Sequence, residues 1–261
     1  MKFMRLFLKN FFNSKLFISI RNTLNKFEVQ QDISDKYNFT ISDSFLWRTD
    51  DNFETKFIFS DILKLFYEQK DKDTYAEIQI FSHKNKLLKK LNLKKLKLFN
   101  ELIITKRFLD GYEGYGSFYI FHHSSDFIKE KPVISNRCYT GFKKDNLSFS
   151  FLHGNALSRG TSINKNDKFN FEIIKKSLIK NQIYKIQKNF RKFDFSELFF
   201  INPFEKKIEF NLNSEKVYLN PGFTKKIIIK DQDIVELESN IMFFRPTIFS
   251  HRNNFIDVHH S

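Results

Sequence analysis

From Ile41 onward the chain is written in short runs of Phe, Ile, Tyr and Val, separated by polar turn-forming clusters. Turns recur roughly every 8–12 residues, which is the signature of strands in an all-β domain. Fifteen segments fit, among them Ser44–Arg48, Thr55–Phe59, Ser117–His122, Leu147–His153, Glu197–Asn202, Thr247–His251 and Phe255–His260. Parallel βαβ units would need a dozen-residue helix between successive strands. Within residues 41–261 only 61–69, 86–98 and 171–180 carry helical spacing. The expectation is therefore an all-β chain, an antiparallel β-sandwich of jelly-roll type over residues 41–261. A basic arm with a short helix precedes it over residues 1–40.

Composition bounds the rest. With 261 residues and 41% hydrophobic side chains, 35 of them Phe, the chain can close a large core without disulfides or structural metal. The single cysteine, Cys138, excludes an internal disulfide and any multi-thiolate zinc site; with no base assigned to it, Cys138 reads as a core residue. No apolar run approaches the ~18 residues of a membrane span, and no secretory h-region follows the first basic residues. The expected location is cytoplasmic, with peripheral membrane contact open through residues 1–30. There Phe3, Leu6, Phe7, Phe11, Phe17, Ile20 and Leu24 recur at helical spacing among basic residues.

The net charge of +14 invites a nucleic-acid reading. Only nine of the 44 basic residues are Arg, the side chain suited to bidentate phosphate and guanine contacts. Lysine enrichment of a solvated surface is the simpler account, and no specific nucleic-acid partner is expected. The run Lys84–Lys97 reads the same way, as a lysine-protected edge strand or hairpin.

Six of the seven glycines fall between Gly111 and Gly160. Gly111-x-x-Gly114-x-Gly116 reverses the dinucleotide-binding spacing and no helix follows it. Walker A, Gly-x-Ser-x-Gly and His-Glu-x-x-His patterns do not occur. Three histidines, His122, His153 and His260, end candidate strands, and two-residue alternation sets each on the face of apolar neighbours. Brought to one rim, their imidazoles would suit Zn or Fe, with Asp257 or Glu113 as carboxylate neighbours; the plainer reading is buried histidines bonded to carbonyls. Arg245 interrupts an apolar run, where a charge needs a partner such as Asp257 or Glu238, or a ligand. Tyr115, Arg137, Tyr139, His153, Asn155 and Arg245 are the candidate ligand-binding residues, since aromatic faces stack on sugar rings while Arg and Asn bond hydroxyls.

Four segments together carry a resemblance: Tyr115–His122, Asn136–Phe142, Phe151–Asn155, and Phe244-Arg245-Pro246 with the tail Asp257-Val258-His259-His260-Ser261. Over residues 42–261 the chain resembles a family of bacterial proteins, without an assigned activity, found among genes for surface-polysaccharide and sugar-nucleotide metabolism. His259 stands where an aromatic residue is more usual in that tail. The resemblance implies a glycan context and nothing catalytic. The expected function is non-catalytic recognition of a glycan or sugar nucleotide, or an accessory role in surface-polysaccharide metabolism. A metal-dependent enzyme built on His122, His153 and His260, and a membrane or nucleic-acid binder acting through the basic arm, are the alternatives.

Overall fold

The computed structural model describes residues 39–67, 75–124, 138–153, 182–188, 190–204, 206–241 and 244–260, with Phe11, Leu16 and Ile20 as isolated positions of the N-terminal segment. The expected helix of the arm, and the helical candidate at 171–180, lie outside the described residues. No helix of the described residues is long and apolar enough to cross a membrane.

The described chain is all-β with antiparallel pairing. Its first eight strands are β1 (Phe39–Arg48), β2 (Phe53–Phe59), β3 (Tyr75–Ser82), β4 (Leu87–Lys94), β5 (Asn100–Ile104), β6 (Tyr115–Ser124), β7 (Tyr139–Lys144) and β8 (Ser150–His153). One short helix, α1 (Ile62–Tyr67), follows β2. The second eight are β9 (Gln182–Lys188), β10 (Phe195–Ile201), β11 (Ile208–Leu212), β12 (Glu215–Leu219), β13 (Thr224–Ile229), β14 (Ile234–Ser239), β15 (Thr247–Arg252) and β16 (Phe255–His260). The Lys84–Lys97 run does form an edge strand, β4.

A single jelly-roll sandwich would hold two sheets. The described strands form four, each of four strands: β1-β6-β3-β4, β5-β2-β7-β8, β13-β10-β15-β16 and β9-β14-β11-β12. Adding eight to every label of the first two sheets reproduces the other two, so the chain contains one eight-stranded topology twice. Within each half the two sheets enclose one core. Phe45, Trp47, Phe57, Ile78, Ile80 and Phe118 fill the first; Leu198, Phe200, Phe210, Leu237, Phe244 and Ile248 fill the second. A third core joins the halves, from Leu46, Phe53, Phe142 and Leu152 on one side and Phe199, Ile201, Phe249 and Val258 on the other. The four sheets thus succeed one another like propeller blades, although the chain of each half crosses repeatedly between two of them.

One pair in this joint stands at equivalent positions. Thr55 pairs with Phe142 as Glu197 pairs with Phe249, so Phe142 and Phe249 correspond. Their rings meet edge to face at 4.9 Å, an arrangement that adds to the gain from burial alone. The rest of the joint is not symmetric: by the same correspondence Phe199 and Ile201 match Phe57 and Phe59, which lie in the first core.

Gly116 marks a close backbone approach. A β-carbon there would lie 2.0 Å from the Phe81 carbonyl oxygen, and backbone cannot step aside as a side-chain tip can. Gly116→Ala is expected to lower stability by about 1–3 kcal/mol, the range of overpacking, measured as the shift in urea midpoint; an unchanged midpoint would show that β6 can move. The Asn220-Pro221-Gly222 turn also behaves as its residues predict, with Gly222 at φ +69°. Asn202 secures it: the buried amide donates to the carbonyls of Lys206, Leu219 and Asn220 at 2.9–3.0 Å.

Candidate functional site

The joint between the halves also holds a buried polar cluster. Arg48 ends β1 with its side chain wholly buried. Its Nη1 donates to Glu197 on β10 at 2.7 Å and its Nε to Asp50 at 2.9 Å. The guanidinium lies 3.7 Å over the Phe53 ring and 4.7 Å from that of Phe249, one from each half. Lys226 on β13 reaches Glu197 at 3.1 Å and Asp50 at 3.3 Å. His251 on β15 closes the set through Nε2, 3.0 Å from Glu197.

Two cations thus face Glu197 and Asp50, with Asp51 3.6 Å from Arg48 Nη2, and Glu197 is bonded from three sides. Burial alone would raise its carboxyl, but the hydrogen bond with His251 and the charge and bond of Arg48, with Lys226 behind them, hold it at about 2. A carboxylate so held is a poor proton acceptor at neutral pH, so the cluster locks the joint.

At one end of the joint, two equivalent hairpins face each other, β7–β8 and β15–β16. Between them lies a cavity of about 360 Å³, lined by Phe53, Phe142, Lys144, Leu147, Ser148, Phe149, Ser150, Phe255, Ile256, Asp257 and Val258. A second, of about 380 Å³, shares Lys144, Leu147 and Ile256 and adds Asp145, Asn146, His251, Asn253 and Asn254. Together they form one groove with aromatic walls and a polar rim. Lys143 and Lys56 lie 5.3 and 5.7 Å from the Phe149 ring. His251 forms part of the groove wall while bonded to Glu197, which connects the groove to the locking cluster.

The histidine end of the joint lies at the other end of the same strands. His153 and His260 do come together, with ring centroids 5.3 Å apart, and His260 Nε2 contacts the His153 carbonyl oxygen. Burial keeps the His260 imidazole less basic than an exposed one; the His153 bond opposes this, and the neighbouring His153, His259 and Arg245 charges reinforce it. His122 does not join them. It alternates with Phe118 and Ile120 on the face of β6 that meets the first core, opposite Ala76. Among the described residues no group of three or more His, Cys, Asp or Glu side chains is placed to hold a metal ion. The expected inward face of His153 is reversed as well: it pairs with exposed Tyr139 on the outer face, where Phe151 covers Gly141.

The other candidates separate. Tyr115 is wedged at the joint, its ring 5.1 Å from Phe199 and 5.4 Å from Lys226. Arg245 is exposed in the irregular stretch before β15. Arg137 and Asn155 lie outside the described residues. Cys138 is buried in the first core, as expected. Phe149 and Phe255 belong to the groove yet carry no distinguishing signal in a chain with 35 Phe. Comparison with family models, with curated proteins and with solved structures finds no match.

Proposed function

We infer that this chain is a non-catalytic recognition protein of the cytoplasm, which holds a glycan or sugar nucleotide in the groove between its two equivalent hairpins. The groove's make-up carries the reading. Phe149 and the largely exposed Phe255 offer faces for sugar rings, and Lys144, Asn253, Asn254 and Asp257 offer bonding groups for hydroxyls and phosphates. Its size suits one or two sugar units. The surface-polysaccharide context that the sequence resemblance implies points the same way.

Calorimetric titration with sugar nucleotides and oligosaccharides tests this. Binding is expected for at least one of them, and Phe149→Ala with Phe255→Ala weakens it at least about tenfold, as lost aromatic stacking predicts. Binding untouched by both substitutions, or none with any sugar at millimolar concentration, overturns it.

A further inference from the structure

The loop from β4 to β5 makes a tight turn whose two central residues are apolar and unsheltered: Leu98 is 70% exposed and Phe99 59%. The turn is held rigidly. Asn100 Oδ1 accepts from the Lys97 amide at 3.1 Å, and its Nδ2 donates to the Lys97 carbonyl at 2.7 Å and to Phe59 at 3.2 Å, which ties the turn to the end of β2. Leu96, just before it, packs on the first core. Lys94, Lys95 and Lys97 surround the tip, all exposed, and none takes part in an ion pair among the described residues. A braced turn showing two large apolar side chains next to exposed lysines that form no ion pair among the described residues is costly on a free surface and suited to a partner that is apolar beneath an anionic skin. A phosphate backbone would engage the lysines but leave Leu98 in water.

We propose that the Lys97–Asn100 turn is a membrane-surface anchor, which places Leu98 and Phe99 at the headgroup–acyl boundary of an anionic leaflet while Lys94, Lys95 and Lys97 meet the lipid phosphates. The full chain then cosediments with phosphatidylcholine vesicles that contain phosphatidylglycerol and not with phosphatidylcholine alone, and added salt weakens the association. Leu98→Asp with Phe99→Asp lowers partitioning at least about tenfold. Lys95→Gln with Lys97→Gln lowers it about thirtyfold, from the usual contribution of a lysine at an anionic surface. Near-ultraviolet circular dichroism verifies that both variants keep the native fold. Absence of vesicle binding, equal binding to neutral vesicles, or binding that either pair leaves unchanged overturns the proposal. So does binding of a DNA duplex by a chain that ignores vesicles.

Discussion

Arg48→Met lowers the free energy of unfolding by about 3 kcal/mol or more, because it leaves buried carboxylates short of a cation. Urea denaturation reads this as a lowered midpoint. Arg48 gives Glu197 its shortest bond and also binds Asp50. Lys226 would then face both carboxylates alone, and His251 would be the only other group on Glu197. Methionine refills the space between Phe53 and Phe249, so the loss reports charge and hydrogen bonding more than volume. In a Glu197→Gln background the same substitution costs at least about 1 kcal/mol less, the coupling expected of two groups in contact. A cost under about 1 kcal/mol in the native background would mean that the cluster relaxes into water and locks nothing.

Acid should weaken the fold in two steps. His123 is buried, which lowers its imidazole to about 4 from the usual 6.5, with Glu77 opposing and Lys90 reinforcing the shift. The unfolded chain therefore takes up this proton first. As pH falls from 6.5 to 4, unfolding gains up to about 3 kcal/mol. Glu197 acts lower down. Its carboxyl stands at about 2 against an ordinary 4.5, so its contribution is complete above pH 4.5 and disappears as pH falls to 2, again about 3 kcal/mol. Unfolding free energies measured across this range should show both slopes. His123→Asn reduces the upper one, to which the less basic His260 also contributes, and Glu197→Gln reduces the lower. A His123→Asn profile that keeps the native slope between pH 6.5 and 4 would show that His123 reaches water.

Much of the fold was legible in the sequence, because strand period and turn chemistry are local properties. Asn202, Asn220 and Gly222 mark their turns, and the lysines of β4 mark an edge. The duplication was not legible. Equivalent positions carry Thr55 and Glu197, Gly141 and Ile248, or Lys144 and His251, so topology repeats where side chains do not. Alternation also gives a period without naming the buried side. His153 shares a face with Phe151, as its spacing says, yet that face points outward. Of two arginines beside apolar runs, the sequence reading singled out Arg245 and passed over Arg48. Arg245 precedes a strand beside Pro246 and turns to solvent, whereas Arg48 sits at a strand end between two halves whose meeting only the tertiary structure reveals.

Every backbone ladder among the described strands closes inside its own half; none pairs a strand before residue 154 with one after residue 181. The first half can therefore complete its own ladders before the second has left the ribosome. Docking would come last, and with it the contacts of Arg48 to Glu197 and Phe249. Interactions absent from the rate-limiting step act on how fast a protein comes apart rather than on how fast it forms. The ion cluster would then serve as a latch that sets the lifetime of the assembled chain while leaving its speed of assembly unchanged.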